Sequence, residues 1–269
     1  MKNLEGKTAV ITGAGSGIGR ELAVQLSDHG CRVALTDIKQ ETLTETQMLV
    51  RGECETWVVD VADRAAMQAF ASDSIAKFGT VDIVINNAGV SLEGDFVDAT
   101  YEDLEWILGI NLWGVIYGCK EFLPHLRQRP ESSLVNISSV FGLISYPGQA
   151  AYNISKFGVR GLSEALRQEL KGTGVTVTSV HPGGIKTNIA REARMPNRSP
   201  EEKRAIADRA DQMFITTAAT AAKTIIKGIR AKKTKVLVGP DAHVIDRLQR
   251  TAPTTYDRVI ARLFPRPGV

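Results

Sequence analysis

Short runs of β-branched and aliphatic residues alternate along this chain with longer segments in which apolar positions return every three or four residues. The short runs lie at residues 8–12, 32–36, 56–59, 81–85, 134–137, 175–180 and 235–238. Nearly unbroken apolar character over so few residues marks strands buried on both faces. A helix-like segment in nearly every gap supplies the crossover that parallel strands require. The pattern predicts an α/β fold, doubly wound around a parallel sheet of about seven strands. Asp63 stands where an N-cap would open a helix over residues 65–78, and Gly30 follows a helical segment as a terminating glycine does. The alternation holds to about residue 240 without a repeat of solenoid period. Residues 1–240 therefore read as one domain and 241–269 as an extension of it.

Composition narrows the class. With 269 residues, 43% of them apolar and 23% charged, the chain can bury a sizeable core, which excludes a disordered protein. Lys and Arg total 33 against 30 Asp and Glu, and a formal charge of +3 is too small for a protein that neutralises many phosphates. No nucleic-acid partner is expected. Cys31, Cys54 and Cys119 are odd in number and form no paired motif, which argues against a disulfide framework or zinc site and for a reducing compartment. His29, His125, His181 and His243 show no ligand spacing, so no metal is expected. The start runs into the first strand without a signal-like apolar stretch, and the most apolar segment, 106–119, is too short to span a bilayer. A soluble, cytoplasmic protein is the expectation.

Candidate chemistry begins after the first strand, at Thr12-Gly13-Ala14-Gly15-Ser16-Gly17-Ile18-Gly19. Glycines allow a tight turn and close approach of backbone to a pyrophosphate, and the helix N-terminus that follows favours an anion. An ordinary glycine-rich turn is the alternative. Asp37 closes the second strand about twenty residues on, where a carboxylate can hydrogen-bond a ribose diol and repel a 2′-phosphate. It could instead cap a helix. Ile38 offers no positive charge, although Lys39 follows, so NAD is favoured over its phosphorylated form.

Tyr152 and Lys156 lie four residues apart in a helix-like segment, 151–171, and share one face of it. An ammonium beside a phenol favours the phenolate by about 4 kcal/mol at ~4 Å with an effective dielectric of ~20, which predicts a lowered tyrosine pKa. Such a tyrosine would be a usable acid/base group. Alone, the pair also fits a solvated helix face.

Together with Asp60-Val61, Asn86-Asn87-Ala88-Gly89, Asn111, Ser138-Ser139, Tyr152-Asn153-Ile154-Ser155-Lys156 and Pro182-Gly183, the glycine turn gives the chain a marked resemblance to the short-chain dehydrogenase/reductase family over residues 5 to about 240. The resemblance implies a single-domain Rossmann-type fold and an NAD(H)-dependent alcohol dehydrogenase or carbonyl reductase. It implies Tyr152 as general acid or base, Lys156 as the group that lowers its pKa and holds the nicotinamide ribose, and Ser139 rather than Ser138 as donor to the substrate oxygen. Asn111 would hold a water in a proton relay to Lys156, or could simply bridge backbone groups. Cofactor contacts would come from Gly13, Ser16, Gly17, Ile18, Gly19, Asp37, Asp60, Val61, Asn87, Ala88, Gly89, Tyr152, Lys156, Pro182, Gly183 and Thr187. Asn87 could be partly architectural and Thr187 no more than a helix cap. Homodimers or homotetramers assembled through helices over residues 100–127 and 151–171 are implied as well.

Substrate groups are expected from residues 90–97, 140–146 and the loop after Thr187, and the irregular stretch 182–200 is a candidate lid. Phe141, Leu143, Ile144, Tyr146 and Met195 suggest a hydrophobic ketone or secondary alcohol. Arg191, Arg194 and Arg198 could instead clamp an anionic or coenzyme A-linked 3-oxo substrate, and a non-catalytic dinucleotide-binding redox sensor is a further alternative. His181, beside Pro182, reads as a packing residue. The extension reads as an amphipathic helix from Asp241 to Phe264; it could cover a neighbouring subunit, which is favoured, close the substrate pocket, or lie on a membrane.

Overall fold

The computed structural model describes residues 1–263. Nine strands form: β1 (Thr8–Thr12), β2 (Arg32–Asp37), β3 (Cys54–Val58), β4 (Ile83–Asn86), β5 (Ser132–Ile137), β6 (Val175–Pro182), β7 (Ile185–Lys186), β8 (Thr216–Thr217) and β9 (Lys235–Val238). Seven of them build one parallel sheet in the order β3-β2-β1-β4-β5-β6-β9, and β7 pairs with β8 as a small separate ribbon. The helices are α1 (Gly17–Asp28), α2 (Gln40–Leu49), α3 (Arg64–Phe78), α4 (Tyr101–Leu108), α5 (Gly114–Leu126), α6 (Ala150–Glu169), α7 (Pro200–Met213), α8 (Ala218–Arg230), α9 (Pro240–Thr251) and α10 (Tyr256–Leu263).

Successive strand residues feed opposite helix layers, as the period of two requires. Ala9, Ile11, Val33, Leu35, Ile83 and Ile85 pack with Leu22 and Leu26 of α1 and Ile225 and Ile229 of α8. Val10, Ala34 and Val84, in between, pack on the other face with Phe70 of α3, Phe122 of α5 and Val159 of α6. Asp63 caps α3 by accepting from the N–H groups of Ala65 and Ala66, and Gly30 takes φ +80 just past α1. Both local signals act as their residue types predict.

Two segments depart from the expected outline. The single helix expected over 100–127 is α4 and α5 joined through a π-turn at Gly109–Trp113, which carries Asn111. The stretch 182–200 is less irregular than expected: β7 lies in it, and Leu92 bridges Arg194 in a parallel fashion. The extension folds back on its own chain, with Ala242 and Ile245 of α9 and Ile260 of α10 packed on Val140, Phe141 and Ile144. Tyr256 accepts the Ser145 N–H at 3.0 Å. Its described residues thus cover the segment 140–146, and Phe264 lies outside the described residues. No described helix is long and apolar enough to cross a membrane.

Candidate active site

The sheet order reverses beside β1, and at the carboxyl ends of β1 and β4 the chain leaves a cleft of about 610 Å³. One half is built on the glycine turn. Gly13 sits at φ +64, and a Cβ there would stand 2.7 Å from Ala88 Cα; a Cβ on Gly19 would stand 2.0 Å from the Gly13 carbonyl oxygen. Only glycine fits either place. Ser16 opens α1 without a side-chain cap, and Ser16, Gly17 and Ile18 line the cleft, so uncapped first-turn N–H groups are offered to an anion.

The Asp37 carboxylate accepts the Gly15 N–H at 2.9 Å and the Lys39 N–H at 3.1 Å. The N-cap of α2 is Lys39, so Asp37 is not a helix cap. Asn87 donates through Nδ2 to the carbonyls of Thr12 and Gly13, while Thr12 Oγ1 accepts from the N–H groups of Asn87 and Ala88. These bonds lock the end of β4 to the turn. Asp60, Val61, Ala88 and Gly89 line the cleft beyond, and Pro182, Gly183 and Thr187 line its other side. Thr187 opens no helix, because α7 begins at Pro200. A glycine cradle, an uncapped helix end and a carboxylate at the tip of β2 fit a dinucleotide.

The other half holds Ser139, Tyr152 and Lys156. Tyr152 lines the cleft from α6 at 9% exposure, with the Ser139 hydroxyl beside its phenol. Ser139 Oγ also accepts the Phe141 N–H at 3.1 Å, whereas Ser138 Oγ donates to the Lys156 carbonyl at 2.8 Å and so holds the helix. Lys156 Nζ donates to the Ile137 carbonyl at 3.2 Å and stands 5.5 Å from the Tyr152 ring centre.

The electrostatics differ from the expectation of a lowered tyrosine pKa. Burial pushes the Tyr152 phenol up to about 12, the Ser139 hydrogen bond opposing it, and burial pulls Lys156 down to about 8. Both groups sit in a dry wall, and removal from water disfavours the charged form of each.

Asn111, on the π-turn, is fully buried. Its Oδ1 accepts the Val90 N–H at 2.8 Å, and its Nδ2 donates to the Val90 carbonyl at 2.9 Å and to Ser155 Oγ at 3.3 Å. It therefore pins the segment after β4, and π-turns are often found at such sites.

Four residues join the site that sequence patterns did not single out. Asn153 donates to the carbonyls of Phe141 and Ile144 and holds the wall loop. His181 does more than pack: its ring nitrogens bond the Ser139 carbonyl and Ser179 Oγ, each at 3.0 Å, and burial first of all lowers its pKa to about 4. Asp241 Oδ2 accepts the Gly184 N–H at 2.7 Å, fixing the turn after Pro182. Gln149 lines the cleft one turn before Tyr152. Asn153 lies inside the Tyr152–Lys156 motif, and Asp241 is an acid in the first turn of a helix, so both carried a faint local signal.

The lid arginines face carboxylates of their own chain. Arg191 pairs with Asp208 and Asp211, Arg198 with Glu202 at 3.1 Å, and Arg194 with Asp103 at 3.3 Å while lying 3.7 Å over the Trp106 ring. Among the described residues no group of three His, Cys, Asp or Glu is placed to hold a metal.

The family model described as short chain dehydrogenase matches residues 7–198. The chain belongs to the short-chain dehydrogenase/reductase family. A Mycobacterium tuberculosis relative that carries the name oxidoreductase SadH is 43% identical, over 98% of this chain and 99% of its own. A solved short-chain dehydrogenase/reductase from Burkholderia phymatum in complex with NAD matches with a TM-score of 0.86 at 30% identity, covering 100% of this chain and 99% of that one. The closed form of a serine dehydrogenase complexed with NADP+ matches with a TM-score of 0.79 at 25% identity, covering 87% and 95%. As a member of this family the chain is an oxidoreductase, and relatives with its fold hold either nicotinamide dinucleotide.

Proposed function

We propose that this enzyme interconverts an apolar secondary alcohol and its ketone, with NAD as cofactor and Tyr152 as the acid/base group. The observation that carries the reading is the meeting of Ser139 and Tyr152 on the wall of a cleft whose far end is a dinucleotide cradle. A bound nicotinamide dinucleotide supplies or accepts the hydride. Ser139 and Tyr152 offer two hydroxyl donors to one substrate oxygen, and donors preorganised toward a developing alkoxide lower the barrier. The neutral phenol favoured by burial is the form that protonates a carbonyl oxygen during reduction. Oxidation needs the phenolate, so it gains with rising pH.

Lys156 and Asn111 support a route for that proton. A Cβ at Gly89 would stand 3.3 Å from both Asn111 Oδ1 and Lys156 Nζ, so the two groups face one point that a water molecule could bridge. Asp37 supports NAD, because a carboxylate at the tip of β2 repels the 2′-phosphate of the phosphorylated form. Lys39 does not offset it, being paired with Glu192 at 3.1 Å. An anionic substrate is less well supported, since Arg191, Arg194 and Arg198 already face acids. Exposed Trp113, Ile154 and Phe157 on the π-turn and α6 support assembly as a homodimer or homotetramer through those helices. Three free cysteines suit the cytoplasm.

The test is a screen of apolar secondary alcohols with NAD+ and NADP+ in parallel, read by absorbance of the reduced nicotinamide. Turnover with NAD+ preferred by about tenfold or more is expected, as like charges brought together cost several kcal/mol. Preference for NADP+ would overturn the role given to Asp37.

A further inference from the structure

The apolar half of the cleft contains a polar side chain that the protein leaves unsatisfied. Gln149 is only 8% exposed, and it lines the cleft together with Phe141, Ile144, Tyr146, Ile245 and Ile260. It occupies the N-cap position of α6 but makes no capping bond with its side chain. Its backbone is satisfied, the N–H donating to the Tyr146 carbonyl at 3.2 Å and the carbonyl accepting from Asn153 at 2.7 Å. Its carboxamide has no hydrogen-bond partner among the described residues, yet it is not among the fully enclosed orphan atoms, which are Arg32 Nε, Asn86 Oδ1, Ser133 Oγ and Asp241 Oδ1. Its remaining access is therefore to the cleft.

A carboxamide carries two donors and an acceptor, and holding it in an apolar wall is unfavourable unless something in the cleft bonds it. Gln149 stands at the N-cap of α6, three residues before Tyr152, and both side chains line the same cleft. A molecule whose oxygen meets Tyr152 and Ser139 can therefore present a nearby second polar group to Gln149.

We infer that Gln149 reads the substrate, and that the substrate is an apolar secondary alcohol or ketone with a second hydroxyl or carbonyl oxygen on the carbon next to, or one removed from, the reacting carbon. The inference rests on Tyr152 being the acid/base group. Aromatic and aliphatic walls take the body of such a molecule, and the carboxamide fixes which way round it sits.

The test compares 1-phenyl-1,2-propanediol with its two singly deoxygenated relatives, 1-phenyl-1-propanol and 1-phenyl-2-propanol, each oxidised with NAD+. The expected result is a wild-type kcat/KM for the diol about tenfold or more above that of the better mono-alcohol, because a site built to bond a hydroxyl rejects the analogue lacking it. Gln149→Met and Gln149→Leu, checked for NADH binding by fluorescence, should bring that ratio to within about threefold of one. A wild-type ratio near one, or a ratio that survives in both variants, overturns the inference while leaving the role of Tyr152 standing. No turnover of any of the three, nor of other secondary alcohols, overturns the reading of Tyr152 and this inference with it.

Discussion

The two halves of the cleft are built in opposite ways. On the cofactor side, backbone carries the shape: Gly13 and Gly19 leave no room for a Cβ, Asn87 and Asp37 are bonded to main-chain groups of the turn, and Thr12 accepts from the N–H groups of Asn87 and Ala88. On the other side, side chains carry it: Phe141 stacks on Tyr146 with ring centres 5.9 Å apart, Ile245 and Ile260 arrive from the last helices, and the Gln149 carboxamide has no partner among the described residues. A half made of backbone can serve one ligand shape only. A half made of side chains from distant segments can be refitted by substitution, which suits a constant cofactor beside a variable substrate.

That contrast can be broken by mutation. The largest effect is expected from Gly19→Ala, whose new Cβ would meet the Gly13 carbonyl at 2.0 Å. A loss of about 3 kcal/mol in denaturant unfolding, with no NADH binding by fluorescence titration, is the expected outcome. A change of a few tenths would show the turn to be as forgiving as the opposite wall.

His181→Asn comes next. Loss of the bonds to Ser139 and Ser179 should cost about 1–3 kcal/mol near neutral pH. Because its pKa is lowered to about 4 from the ordinary 6.5, the folded protein stays unprotonated between those two values while the unfolded chain takes up a proton. Stability should therefore be fully present above pH 6.5 and fall as pH drops toward 4. The variant should show a flatter acid limb in thermal unfolding, and an equally steep limb would contradict this origin.

The smallest effect is expected from Arg194→Ala on the lid. The guanidinium is partly exposed, and its contacts with Trp106 and Asp103 contribute about 1 kcal/mol. A rise in KM of a few-fold with kcat nearly unchanged should follow, read by steady-state kinetics. An equal fall in kcat would place the residue closer to the chemistry than the lid.

Legibility followed the same division. The strand runs announced the seven-stranded sheet because strands buried on both faces must be apolar throughout, and the glycine turn announced itself because its backbone tolerates no alternative. The break between α4 and α5 left no mark in the periodicity, since the π-turn is tied to bonds between Asn111 and Val90, twenty-one residues away. His181 meets Ser139 across forty-two residues, and no local pattern shows a contact of that range. α7, by contrast, carries a local signal, since Ser199 and Glu202 form a capping box at its start. The tyrosine's pKa went the other way from expectation because charge spacing is visible in a sequence and burial is not.

The most direct measurement is a single-turnover experiment on Tyr152→Phe, with NADH binding followed by fluorescence and hydride transfer by absorbance. Retained NADH binding with hydride transfer slowed about a hundredfold or more is the predicted result. Transfer at the wild-type rate would contradict the account.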